Sequence, residues 1–157
     1  MENFARSSIT NIPNIFRNIK SGEGHTLNGT FARCEKLIEI DDNFCFPSDL
    51  MLESAFYGCT NLVKIPQNLL KNSGTNIMIK NGLFCDCVNL ELDITDFFDL
   101  QKMLTCHFEY MFMNCPKITG TFPLNEYFAA GNASIPIFQD CPNITNYAEL
   151  VANGIAS

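Results

Sequence analysis

The sequence predicts an α/β repeat solenoid of about six units, with short strands on one face and short helical or 3₁₀ turns between them. Three observations predict it. First, a skeleton of Phe, then Cys three residues later, then Leu or Ile three after that recurs five times. It stands at Phe31/Cys34/Leu37, Phe56/Cys59/Leu62, Phe84/Cys87/Leu90, Phe112/Cys115/Ile118 and Phe138/Cys141/Ile144. Second, the cysteine anchors are 25, 28, 28 and 26 residues apart, inside the range of repeat architectures. Third, an apolar residue returns ten positions after the anchor at Phe44, Leu69 and Phe97. A unit with an apolar inside that it cannot cover alone is stable only against its neighbours. Like residues should therefore form rows along one continuous core, with units about 4.8 Å apart.

The whole chain, 1–157, reads as one domain, with units near 1–26, 27–51, 52–79, 80–107, 108–133 and 134–157. The first is degraded, as a terminal repeat facing water should be. Stepping back 28 from Cys34 reaches Arg6, from which Ile9, Ile12 and Pro13 match Leu62, Ile65 and Pro66. Asn3 and Arg6 fail at the Phe and Cys positions, and a shift of one would bring Phe4 into the Phe slot; Phe16 continues the row ten after the anchor. Within a unit, the Phe-x-x-Cys spacing suits a single turn of α or 3₁₀ helix that buries both residues. A turn-forming pair follows (Thr60-Asn61, Val88-Asn89, Pro142-Asn143), then a stretch long enough for one short strand at Ile9–Ile12, Leu37–Ile40, Leu62–Ile65 and Ile118–Phe122. A polar bend such as 71–76 comes next, and the chain returns through Leu27, Leu52, 77–79, Phe108 or Ile135 into the next Phe. Residues 147–152 form a short amphipathic cap.

Composition excludes several function classes. Seventeen acidic residues outweigh ten basic ones, for a net charge of −7, and the basic residues are scattered. Nucleic acid and anionic membranes are therefore not expected partners. No apolar run approaches the roughly 18–20 residues of a membrane span. The start Met1-Glu2-Asn3-Phe4 lacks the apolar core of a signal peptide. The expectation is cytosolic synthesis, or a fragment of something longer that is targeted to the cell surface or a virion. Five of the eight cysteines share one repeat position, which reads better as an internal column of free thiols than as a set of bridges. Cys45, Cys85 and Cys106 lie off that column, and their state stays open.

The stretch Ala55-Phe56-Tyr57-Gly58-Cys59-Thr60-Asn61-Leu62-Val63-Lys64-Ile65-Pro66 resembles the repeat of the BspA-like, or Treponema-type, leucine-rich repeats. Residues 111–118 and 137–144 are similar to the same signature, and the resemblance covers about residues 3–147. It implies a right-handed leucine-rich-repeat solenoid with a strand sheet on one face. It also implies a role in adhesion at the surface of host-associated bacteria or protists, or a place in a phage protein. It carries no catalytic residues. The chain departs from the family in its longer units, the missing signal peptide and the lack of a visible anchor segment.

Other constellations read as structure. Cys106-His107 are adjacent, and neighbours on a strand face opposite ways, which disfavours a nucleophile–base pair; His25 has no partner group in the sequence. Cys85, Cys87, Cys106 and His107 lack zinc spacing. Glu91, Asp93, Asp96 and Asp99 lack the glycine and final Glu of a calcium loop. The sequons at Asn28, Asn132 and Asn143 do not imply glycosylation, since Asn143 occupies a turn-capping slot. The glycines at 22, 24, 74 and 120 are not followed by the Lys-Ser/Thr of a phosphate loop. The chain is accordingly read as a non-enzyme with no cofactor and no metal.

The exposed strand face is where function would reside. With anchor +3 and +6 inward, +5 and +7 point out. Those positions hold Glu39 and Lys64, and then Leu92, Ile94 and Phe122. Either the later strands are slipped by one or these apolar residues form an exposed partner patch, slippage being the expectation. Glu39, Lys64, Leu92 and Phe122 are the candidate partner-binding residues for a protein or glycan. The alternative reading is a structural subunit or domain of a phage virion or larger surface assembly.

Overall fold

The Phe-x-x-Cys segments set the architecture. A computed structural model of the chain describes residues 3–13, 25–74, 77–79, 81–99 and 108–157. In it the rings of Phe4, Phe31, Phe56, Phe84, Phe112 and Phe138 form one column. Successive centroids lie 6.0, 5.1, 5.3, 5.8 and 5.9 Å apart, with planes within 16° of parallel. Aromatic pairs at such separations contribute about 0.5–1.5 kcal/mol each beyond area burial. All of these rings from Phe31 onward are buried, as are Cys34, Cys59, Cys87, Cys115, Cys141, Leu37, Leu62, Leu90, Ile118 and Ile144. The row ten after the anchor is buried at Phe44, Leu69 and Phe97; Phe16 lies outside the described residues.

A backbone ladder runs beside the rings. In each unit the amide of Phe and the amide just before Cys donate to the next unit. Phe31 bonds Ala55 O at 2.9 Å and Arg33 bonds Tyr57 O at 2.7 Å; Phe84 bonds Met111 O at 2.9 Å and Asp86 bonds Met113 O at 2.9 Å. Amides in between bond locally, as Cys34 does to Phe31 O at 3.2 Å. This alternation corrects the expected helical turn. An α or 3₁₀ turn aims successive amides along one axis, whereas here every second one leaves the unit. The residue before the cysteine makes the difference. Arg33, Gly58, Asp86, Asn114 and Asp140 all have φ between 54° and 66°, so each Phe-x-x-Cys is a β-turn with a left-handed third residue. In the first unit that residue is Arg6, with φ 58°. Arg6 is thus not the counterpart of the cysteines: Ser7 takes the Cys slot and Phe4 the Phe slot, and Phe4 donates to Thr30 O at 2.8 Å.

The thiols close a second ladder. Cys34, Cys59, Cys87, Cys115 and Cys141 donate to the carbonyls of Phe4, Phe31, Phe56, Phe84 and Phe112, at 3.1, 3.1, 3.3, 3.1 and 2.8 Å. A thiol is a small apolar group with a weak donor, and this slot asks for both. Burial pushes Cys59 and Cys141 up to about 12 and drives Cys87 and Cys115 well above the usual thiol range. The seven described cysteines are free, with Cys45 exposed and Cys85 buried off the column. Asparagines extend the pattern, since Asn61, Asn89 and Asn143 donate to Glu35 O, Thr60 O and Pro116 O of the preceding unit.

Regular strands among the described residues are two residues long. Strand β1 (His25–Thr26) pairs in parallel with β2 (Leu50–Met51), and single parallel bridges Met51–Met78 and Ile79–Phe108 carry that edge onward. On the other side a parallel bridge joins Glu39 to Lys64, and β3 (Leu92–Asp93) pairs in parallel with β4 (Ile118–Thr119). Helices α1 (Leu69–Asn72), α2 (Leu124–Ala129) and α3 (Tyr147–Ala152) stand among the described residues. Helix α3 lies in the stretch expected to cap the chain, and turns Leu150 into the core.

Candidate recognition face

Glu39 and Lys64 face water where their units pair. The chain reaches them after Leu37 and Leu62 and returns to the core at Ile40 and Ile65, so two residues in each unit, Ile38-Glu39 and Val63-Lys64, separate consecutive inward side chains. The Ile38 carbonyl accepts from both Val63 N (2.7 Å) and Lys64 N (3.4 Å), which holds this kink. Ile38 is 59% exposed beside it. Lys64 Nζ donates to Asp42 at 2.8 Å, with both side chains more than half exposed. The hydrogen bond and charge of Asp42, helped by Glu39 and Asp41, raise the Lys64 ammonium above its ordinary range. Lys117 lies 3.7 Å from Glu91 in the same manner.

Leu92 and Phe122 do not join them. Leu92 is 6% exposed and Phe122 1%, with Ile94 fully buried, so neither side chain offers an apolar patch to a partner. The reason is a change of phase. In the unit after Cys87, Leu90, Leu92 and Ile94 alternate inward without the kink, which turns Glu91, Asp93 and Thr95 outward. In register, Leu92 sits opposite Ile118, two positions earlier in its unit, whereas Glu39 and Lys64 occupy equivalent positions. The candidate residues thus divide, with Glu39 and Lys64 exposed and Leu92 and Phe122 in the core. Phe122 packs edge-on against Phe98 at 5.2 Å and Phe138 at 5.3 Å.

A cavity of about 360 Å³ lies beside Phe122, lined by Thr95, Thr121, Phe122, Pro123, Leu124, Asn125, Glu126, Asn146 and Glu149. Its walls are held from within. The Asn146 amide both accepts from Phe122 N (3.1 Å) and donates to Phe122 O (3.0 Å). Asp93 accepts from the Thr95 hydroxyl at 2.6 Å and the Thr95 amide at 2.9 Å, and these bonds lower its carboxyl below the ordinary range. Thr95 Oγ1 in turn accepts from Thr121 N at 3.2 Å. The rim then presents the carboxylates of Glu126 and Glu149 and the Thr121 hydroxyl, groups that suit a polyol or an amine. Glu126 and Glu149 escape a repeat-based reading because neither stands at a repeated position, and Thr121 stands at anchor +6, which the repeat predicts to face inward. The one signal was Pro123 ahead of Leu124 and Tyr127, an N-terminus followed by helical spacing.

Elsewhere the sites considered resolve into structure. Cys106, His107, Gly22 and Gly24 lie outside the described residues. The Cys87 thiol is committed to Phe56 O, and burial pushes Cys85 up to about 12, away from thiolate chemistry. Among the described residues, no group of three or more His, Cys, Asp or Glu side chains is arranged to hold a metal ion, and no helix is long and apolar enough to cross a membrane. The amides of Asn28, Asn132 and Asn143 are engaged with Glu53, Tyr127 O and Pro116 O. No protein-family model, curated protein or solved structure matches the chain.

Proposed function

We propose that this chain is a non-enzymatic binding module, a right-handed leucine-rich-repeat-like solenoid that recognises a protein or glycan through the face bearing Glu39, Lys64, Asp93 and the cavity at Thr121 and Glu126. One observation carries the reading: side chains that do not repeat stand on a backbone that does. The ring column and thiol ladder hold successive units in fixed relation, so the outward residues are free to differ and are pre-positioned for a partner. A pre-formed surface loses little entropy on binding. The hydroxyl, amide and carboxylate groups of the cavity rim favour a polar ligand over an apolar one.

The test is a glycan array together with a binding screen against surface proteins, run on the native chain and on Glu39→Lys, Lys64→Glu and Glu126→Gln. A ligand whose affinity falls roughly tenfold or more in these variants, about 1.4 kcal/mol, and holds in Arg33→Ala on the turn side supports the proposal. Binding indifferent to all three face substitutions refutes it.

A further inference from the structure

The turn side gathers cations that the sequence scatters. In the slot just before the anchor, Arg6 and Arg33 stand one repeat apart and become neighbours, since Arg6 N donates to Ala32 O at 2.8 Å. Both have the left-handed backbone of that slot, with φ 58° and 56°. Further along the same row, neighbouring side chains satisfy each other: Asn114 Nδ2 donates to Asp86 at 2.8 Å. Arg6 and Arg33 have no such exchange open to them, because a guanidinium carries five N–H donors and no acceptor. Like charges held side by side repel, and no carboxylate relieves these two. Lys64 and Lys117 are paired with Asp42 and Glu91, whereas Arg6, Arg33 and Lys36 form no ion pair among the described residues. The chain carries 17 acidic residues, so the missing partner does not reflect a shortage of carboxylates.

The three cations line a cleft of about 290 Å³ together with Ser7, Ser8 and Glu35. Three cations against one carboxylate leave a surplus of two positive charges. Ser8 is exposed, and its hydroxyl has no hydrogen-bond partner among the described residues. Arg33 is held in place from the next unit. A Cβ on Gly58 would come within 3.1 Å of the Arg33 Cγ, so glycine there leaves room for the stem, and the guanidinium lies 5.5 Å from the Tyr57 ring centroid. Stacking holds a guanidinium by its face and leaves the N–H groups at its edge to donate.

We infer that this cleft is an oxyanion site for a phosphate monoester, carried by a small organic molecule or supplied as phosphate itself. Such a group brings a charge of about −1.5 to −2 at neutral pH and three acceptor oxygens. It matches the surplus charge, and its tetrahedral oxygens meet donors of different kinds, the guanidinium forks, the Lys36 ammonium and the serine hydroxyls. A sulfate ester, a phosphodiester or a carboxylate carries a single charge and leaves half of the surplus unmet. The cleft lies on the turn side, apart from Glu39 and Lys64, so the inference goes beyond the strand-face reading and is tested with different ligands.

The experiment titrates the full chain with inorganic phosphate, glucose 6-phosphate and glucose 6-sulfate at fixed ionic strength, following backbone amide shifts by NMR. Saturable shifts at residues 6–8 and 33–36 are expected with both phosphates. Glucose 6-sulfate, with its single charge, should bind roughly tenfold or more weakly. Arg6→Asn and Lys36→Ala should each weaken phosphate binding roughly tenfold. Asparagine tolerates the left-handed backbone and already occupies this slot at Asn114, so the turn is kept. Lys117→Ala removes the same charge from a residue paired elsewhere and should leave binding unchanged. Tighter binding of glucose 6-phosphate than of phosphate assigns the site to an organic monoester, and equal or weaker binding assigns it to phosphate itself. Absence of saturable shifts overturns the inference, as does equal binding of glucose 6-phosphate and glucose 6-sulfate. A Lys117→Ala effect as large as that of Arg6→Asn overturns it too, since that marks a diffuse charge effect and not a site. The comparison of the three ligands on the native chain decides the matter even where a variant fails to fold.

Discussion

Cys115 tests whether the column thiols act as donors or only as filler. Its Sγ sits 3.1 Å from the Phe84 carbonyl, which also accepts from Cys87 N at 3.1 Å, and the side chain is fully buried. Cys115→Ala removes a sulfur of about methylene size, roughly 0.8 kcal/mol of burial. It also removes one modest hydrogen bond, about 0.5–1 kcal/mol, and a small cavity adds the rest of a loss near 2 kcal/mol. For a chain of this length that lowers Tm by about 4–8 °C. Cys115→Ser is the informative partner. Its hydroxyl is the stronger donor, and with Phe84 O in reach it should match or exceed the stability of the alanine variant. A buried hydroxyl without an acceptor instead costs about 1–3 kcal/mol relative to alanine. Urea unfolding of the three proteins, followed by circular dichroism, gives the order. A serine variant more than about 1 kcal/mol below the alanine variant refutes the thiol–carbonyl ladder. Ser7, which occupies the same slot in the first unit, shows that the position accepts a hydroxyl where it is half-buried.

Other outcomes follow from the same geometry. Folded Cys59 and Cys141 hold their protons to about 12, and burial raises Cys87 and Cys115 well above the usual thiol range, while an unfolded thiol releases its proton near 9. The native state therefore binds more protons above that point. Stability is fully present below pH 9 and falls as pH rises toward 12, at up to about 1.4 kcal/mol per pH unit for each thiol; urea midpoints that stay flat from pH 8.5 to 11 would contradict this. Gly120 has φ 94°, and a Cβ there would fall on Asp93 Oδ1 and crowd Thr95 Oγ1, whereas Gly131, at φ 84°, has open space around it. Gly120→Ala should cost more than about 2 kcal/mol and Gly131→Ala about 1 kcal/mol, read by thermal unfolding. Asp42→Asn breaks the exposed pair with Lys64 and should change stability by less than about 1 kcal/mol, so any larger effect of Lys64 variants belongs to binding.

The repeat was legible in the sequence because a side-chain row has to use like residues. Phe31, Phe56, Phe84, Phe112 and Phe138 stack on one another, and each copy must present the same shape to the next, which leaves periodicity in the sequence. The turn geometry was less legible. Arg33, Gly58, Asp86, Asn114 and Asp140 share a left-handed backbone without sharing a residue type, since the hydrogen bonds to the next unit hold that conformation whatever the side chain. The same freedom hid the register of the first unit, where Ser7 stands in for cysteine.

What the sequence by itself determined is the core: which residues face inward at the anchor, three positions before it and three after. Only the tertiary structure decided what faces outward. A spacing that differs by one residue reverses every following side chain in a strand; the unit after Cys87 has one residue, not two, between successive inward side chains, so Leu92 is in the core and Asp93 reaches the surface, as Phe122 and Thr121 do in the next unit. The cavity at Thr121, Glu126 and Glu149 and the hydrogen bonds of Phe138 and Asp140 to Ile155 and Ser157 were decided at the same level. Each draws in residues that do not recur, and a pairing made once leaves no period to read.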